Sequence, residues 1–136
     1  MNYHDIEIEF EIEFPKRRLE ELPARPVGSI PRLSRLMALA IKCEAEVARG
    51  EASDFAGLAR AGHVTRARMS QIMNLVNLAP DIQEEILFLP RTLEGRAPVT
   101  EAAVRKIACE PLWKRQRARW RDLLEDRSAR QAADLI

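Results

Sequence analysis

The chain has 136 residues, 46% of them apolar and 32% charged, with 22 Lys or Arg against 21 Asp or Glu and a formal net charge of +1. That length fits one domain with tails and a modest core, and the balance is ordinary for a soluble protein. The longest strongly apolar stretch, Leu36 to Ile41, is far too short to span a bilayer, and the acidic amino terminus lacks the form of a signal peptide, so a cytoplasmic protein with no membrane association is expected.

The amino terminus is written as a strand. In HDIEIEFEIEF, Ile6, Ile8, Phe10, Ile12 and Phe14 alternate with Asp5, Glu7, Glu9, Glu11 and Glu13, which puts apolar side chains on one face and carboxylates on the other. A lone strand can neither satisfy its backbone nor bury its apolar face, and no second run of this kind follows. Residues 1–14 are therefore expected to pair with a copy of themselves in a homodimer, to add to a sheet on a protein partner, or to lie over the helical core. Pro15, Pro23 and Pro26, with Pro31 just beyond, make residues 15–30 an extended linker. Its cluster of Lys16, Arg17 and Arg18 either lies along phosphates or keeps the linker soluble.

Pro31 opens a helix in which Leu33, Leu36, Met37, Ala40, Ile41 and Val47 fall at helical spacing, with Gly50 as its stop. This helix is expected to pack behind the next two. Those two occupy Asp54 to Leu78 and are joined by a tight turn. Ser53 or Asp54 can cap the first, which carries Phe55, Leu58 and Ala59 on one face. The helix stops at Gly62 and His63, because glycine takes a left-handed conformation cheaply and histidine is among the few other residues found there. Thr65 caps the second helix. Its buried stripe is Met69, Ile72, Met73 and Val76, and its other side carries Arg66, Ala67, Ser70, Gln71, Asn74 and Asn77.

No carboxylate occurs between Asp54 and Asp81, although acids and bases nearly balance over the whole chain. A surface that approaches phosphates avoids carboxylates in this way. Arg can pair with guanine O6 and N7, Gln and Asn with adenine N6 and N7, and small residues such as Ala67 and Ser70 let a helix sit deep in the major groove. Together these features read as a helix-turn-helix DNA reader. The plainer alternative is a core helix pair with a neutral outer face, since two-helix turns occur in many unrelated folds.

The run LARAGHVTRARMSQIMNLVNLAPDIQEEIL resembles the helix-turn-helix region of the ParB plasmid-partition and KorB repressor family, over roughly Pro31 to Leu89, under half of the chain. The likeness includes a leucine-rich helix end, a proline-started turn, and a short helix that opens with an acid, an aliphatic and Gln-Glu. It implies that Ala59 is the small residue where the two helices cross, Val64 the aliphatic of the turn, and Met69 and Ile72 the core pair. It also implies that Arg66, Ala67 and Gln71 face base edges and that Thr65 and Ser70 touch phosphate, with Arg68 and Asn74 on the same DNA-binding helix. His63 stands where the pattern usually has glycine. ParB proteins that slide as clamps have a nucleotide-binding domain with an arginine-rich motif before this region. Nothing before Pro31 resembles it, so nucleotide binding and partition activity are not implied.

Pro80 then begins a short helix with Ile82, Ile86 and Leu89 inward, ended by Pro90, and residues 91–98 read as a loop. Thr100 caps a helix through about Cys109, and Pro111 starts a long last one whose apolar side is Trp113, Trp120, Leu123 and Leu124. The two tryptophans are expected to anchor it on the core. From Arg105 to Arg121, seven Lys or Arg stand against Glu110 alone. Lys114, Arg115, Arg117, Arg119 and Arg121 would repel one another on a bare helix, so they call for an acidic partner, either DNA backbone or the carboxylate face of residues 1–14.

Cys43 and Cys109 stand far apart with no CxxC, and His4 and His63 are the only histidines, which gives no zinc set. Cys43 falls near an apolar stripe and is expected to pack. No nucleophile and base pairing and no glycine-rich phosphate loop occurs, so neither enzymatic activity nor a cofactor is expected. The predicted fold is mainly α. A helix-turn-helix three-helix core over 31–90 is extended by basic helices over 91–136, with one N-terminal β-strand. The expected function is sequence-specific binding of double-stranded DNA by a cytoplasmic, nucleoid-associated protein. It would act as a transcription regulator or as an accessory factor of a mobile element, in recombination or partition, beside a recombinase or the transcription machinery. The alternative is a helical protein-interaction adaptor that docks through its strand.

Overall fold

A computed structural model describes residues 27–93 and 99–135. The strand expected over residues 1–14 and most of the linker lie outside the described residues. Within them the chain is mainly helical, with six α-helices: α1 (Arg32–Ala48), α2 (Phe55–Ala61), α3 (Arg66–Met73), α4 (Pro80–Leu87), α5 (Glu101–Ala108) and α6 (Trp113–Ala133).

α1 is the centre of the assembly and packs on α2, α3 and α4. Its Leu33, Met37 and Ala40, three and four residues apart, face the main core with Ile72 of α3, Ile82 and Ile86 of α4, Val104 and Ile107 of α5, and Trp120 of α6. Each large aliphatic side chain fully buried there stabilises the fold by about 1.5 to 3 kcal/mol. One turn further along α1, Cys43 meets Ala59, Met69 and Met73 in a second, smaller cluster. Cys43 thus packs as expected, and burial pushes its thiol up from the ordinary value, with Glu46 adding to the shift. Ala59 is 1% exposed at the α2–α3 crossing, where any larger side chain would push the two helices apart.

The turn between α2 and α3 follows from its capping chemistry. Asp54 Oδ1 accepts the Gly57 N–H at 2.6 Å to start α2, and Thr65 Oγ1 accepts the Arg68 N–H at 3.1 Å to start α3. Between them the Val64 N–H reaches back to the Ala59 carbonyl at 3.0 Å and the His63 N–H to the Arg60 carbonyl at 3.3 Å. This pair of bonds requires a left-handed residue between, and His63 supplies it at φ 52. The strain is local and relievable. His63→Gly is expected to raise the unfolding free energy by about 0.5 to 1 kcal/mol, the left-handed cost of a side chain less the extra freedom glycine has when unfolded. Denaturant titration checks this, and a destabilised variant would mean that the imidazole makes a contact worth more than the strain.

Two regions depart from the sequence expectation. The second helix does not run unbroken to Leu78. It tightens after Met73 into a 3-10 turn over Asn74–Asn77. Pro80 forces extended backbone onto Ala79, at φ −55 and ψ 141, and Leu78 follows it at φ −66 and ψ 149, so the helix has to end early. The other departure is the end of the linker, which is pinned. Ser29 and Thr92 exchange two backbone hydrogen bonds of 3.0 Å each. Gly28 has φ +93, and a Cβ on it would sit 2.9 Å from the Thr92 carbonyl oxygen, so the approach needs glycine.

The junction between the 3-10 turn and α4 is satisfied by two glutamines. Gln83 Nε2 donates to the carbonyls of Val76 and Leu78 at 3.0 and 2.9 Å. Gln116 of α6, 1% exposed, accepts the Ala79 N–H on Oε1 at 2.8 Å. Its Nε2 donates to the carbonyls of Asn77 at 3.1 Å and Glu110 at 2.7 Å. The chain therefore turns sharply in a buried place with the carbonyls of Val76, Asn77 and Leu78 and the N–H of Ala79 all paired. Gln116, Trp120, Leu123 and Leu124 form the face of α6 that reaches the core. Trp120 is buried with its indole N–H on Glu85 Oε2 at 2.7 Å. Trp113, expected as a second anchor, is instead 48% exposed. It stands at the first turn of α6, beyond the edge of the core, with the Arg117 guanidinium 5.9 Å from its ring centroid.

Candidate nucleic-acid interface

α3 divides cleanly by exposure. Met69, Ile72 and Met73 are buried, whereas Arg66, Ala67 and Ser70 are exposed, as are Thr65 before the helix and Asn74 after it. These exposed residues lie at one-to-four spacing around a single side. Gln71 is half-buried at its edge. The local cause is the pairing of a strong cap with two methionines and an isoleucine that can only point toward Ala59, Cys43 and α1.

Arg68, expected among the DNA-binding residues, is turned away from the exposed side. Its guanidinium forms a two-point ion pair with Glu101 at the start of α5, with Nη2 3.1 Å from Oε2 and Nη1 on Oε1. The same Nη1 donates to Gln71 Oε1 at 3.1 Å. Glu101 also faces Arg105 Nε at 3.9 Å. Tertiary structure thus brings a carboxylate to a helix that has none within its own segment, and both of its oxygens are taken up by an arginine.

The hydrogen bond from Arg68 holds the Glu101 carboxyl below the usual carboxylate range, against the opposing effect of burial, and the charges of Arg68, Arg105 and Arg32 act in the same direction. Asp81 is lowered in the same way by the hydrogen bond from Arg117. A carboxyl whose pKa is lower folded than unfolded contributes stability above its unfolded value, and that contribution is lost as pH falls through the folded value. Thermal stability is therefore expected to decline as pH drops below about 4.3, the ordinary glutamate value. Glu101→Gln should flatten that decline. Parallel acid curves for parent and variant would mean that the pair adds nothing to folding.

The basic side of α6 is partly matched from within. Arg117 makes a two-point pair with Asp81 of α4 at 2.9 and 3.0 Å. Arg119 and Arg115 stand 3.3 and 3.8 Å from the carboxylate of Glu110, which is 8% exposed. Among the described residues, Lys114 and Arg121 have no ion pair and are exposed. A groove of about 510 Å³ runs between the 3-10 turn after α3 and the segment that joins α5 to α6, lined by Asn74, Asn77, Cys109, Glu110 and Trp113 among others. Asn74, which follows α3, and Trp113, the first residue of α6, both line it.

Glu101, Asp81, Gln83 and Gln116 were not singled out from the sequence as partners of this surface. Only Gln116 carried a signal. It is the one uncharged polar residue in the run KRQR and lies four residues before Trp120, on the same helical face. Among the described residues no helix is long and apolar enough to cross a membrane, and no three His, Cys, Asp or Glu side chains converge as metal ligands would. No family model, curated protein or solved structure matches the chain.

Proposed function

We propose that this chain binds double-stranded DNA in a sequence-specific manner, with α2, the His63 turn and α3 as its helix-turn-helix. This agrees with the resemblance to the ParB and KorB family carried by residues 58–87. The observation that carries the reading is the side of α3 that presents Arg66, Ala67, Ser70 and Asn74 to solvent with no unpaired carboxylate among them. A helix of eight residues is about 12 Å long, which suits the width of the major groove. In this reading Arg66 and Gln71 meet base edges, Ala67 leaves room for them, and Thr65, Ser70 and Asn74 approach the backbone. Lys114 lies on phosphate at the flank, joined by Arg115 and Arg119 to the extent that Glu110 leaves them charge to share. Arg117, paired with Asp81, orients the first turn of α6.

The biological setting that follows is transcription regulation or an accessory part in recombination or partition of a mobile element. A homodimer through the N-terminal strand would match paired half-sites. A second reading, the protein-interaction adaptor, is favoured by Val27, Phe88 and Leu93, which are 78%, 78% and 73% exposed at or near the Ser29–Thr92 pairing. Selection of bound duplexes from a random pool at physiological salt separates the two. An enriched motif supports the DNA reading, and an inverted repeat in it supports the dimer. The absence of any enriched motif would leave the adaptor as the reading to pursue.

A further inference from the structure

We propose that Arg68 and Glu101, which do not themselves face the DNA, determine which base Gln71 reads. The inference rests on the DNA-binding reading above and adds a specificity to it.

A glutamine amide normally offers a base both an acceptor and a donor, and adenine, with its N7 acceptor and N6 donor, is the base that matches both. Gln71 does not have that choice here. The group facing it is the Arg68 guanidinium, which has five N–H donors and no acceptor, so the amide atom 3.1 Å from Arg68 Nη1 must be the oxygen. With the oxygen end of the amide drawn toward Arg68, the end that Gln71 has free to turn outward is its NH2.

Arg68 is held in that place by two points of contact with Glu101. The side chains of this pair are 28% and 21% exposed, sheltered enough to keep the geometry. Glu101 is itself set by α5, where Thr100 caps the helix through the Ala103 N–H at 3.3 Å and the acidic residue in the first turn is favoured by the helix dipole. The chain of positioning thus runs from the start of α5 through Glu101 and Arg68 to Gln71, across a sequence separation of 33 residues for the ion pair. An amide held with its NH2 outward favours a base that shows acceptors in the major groove. Guanine, with O6 and N7, shows two and no donor, whereas adenine sets an N6 donor against the same NH2. Arg68 and Glu101 are positioning residues, and the base preference at one column of the motif is their signature.

The test is duplex selection with the parent, Gln71→Ala, Arg68→Met and Glu101→Ala, each first confirmed as folded by circular dichroism. Gln71→Ala identifies the column that Gln71 reads, because preference there is lost and the other columns stay. The parent is expected to prefer guanine at that column. Arg68→Met frees the amide oxygen and is expected to shift the column toward adenine by roughly tenfold in relative affinity. Glu101→Ala releases Arg68 and should broaden the same column to accept both purines. If Glu101→Ala does not fold, Arg68→Met decides alone. A motif that Gln71→Ala alters but that Arg68→Met leaves unchanged would overturn the proposal and leave the DNA reading standing, as would a motif that Gln71→Ala does not alter. A parent that enriches no motif would overturn both.

Discussion

Replacing Gln116 by Met is expected to lower the unfolding free energy by about 3 kcal/mol, or roughly 10 °C in Tm, although volume and helix propensity are nearly kept. The cost comes from the groups left behind. Ala79 is 0% exposed, and its N–H, which Gln116 Oε1 now accepts, would be buried without a partner. The carbonyls of Asn77 and Glu110 would lose their donor at the same time. A buried polar group stripped of its partner costs about 1 to 3 kcal/mol, so two or three such groups set the size of the effect. Gln116→Glu provides a chemical check. The carboxylate can still accept from Ala79 but aims its charge at the two carbonyls, so its folded pKa must rise above the ordinary glutamate value. The penalty is then present at neutral pH and relieved as pH falls through that raised value. Thermal melts from pH 7 down to 5 read this directly. A Gln116→Met protein as stable as the parent would mean that the 3-10 turn and α4 re-form their contacts without α6.

Removing the Arg66 side chain is expected to cost about 1 to 3 kcal/mol at the selected site and to relax preference at a single base pair, with folding unchanged. Arg66 is exposed, enters no ion pair among the described residues, and sits in the first turn of α3, where a side chain reaches furthest into a groove. Lys114→Ala should behave differently. It is expected to weaken selected and random duplexes alike and to reduce the slope of log affinity against log salt by about one unit, because a phosphate contact carries charge and no sequence. Titrations of both variants on a selected and a scrambled duplex, at two salt concentrations, separate the two roles. Equal losses on both duplexes for Arg66→Ala would remove Arg66 from the base-reading face.

Gln116 is buried in the first turn of α6, the turn that also carries the exposed Lys114. By holding Asn77, Ala79 and Glu110 together, Gln116 fixes the first turn of α6 against the junction between the 3-10 turn and α4. A partial loosening there should displace Lys114 before it disturbs α3, whose own supports are Met69, Ile72 and Met73.

Local chemistry was enough to place the helices. Apolar residues three and four apart wrote α1, Asp54, Thr65 and Thr100 started α2, α3 and α5, and Gly62 with His63 marked the turn. Each of these signals acts within a few residues, which is why it can be read from sequence. The exposed side of α3 was legible for the same reason, since the residues left over from a buried stripe must face out. The long-range partners, by contrast, follow from packing. Arg68, expected among the DNA-binding residues, is taken up by Glu101 of α5, the arginines of α6 find Asp81 and Glu110, and Trp113, expected as an anchor, stands beyond the core. Ion pairs and buried amides depend on where two distant segments come to lie, and neither segment carries that in its own periodicity. Local periodicity and capping set where the chain is helical and which side of α3 is polar. Packing decided which of those polar groups remain free to meet a partner.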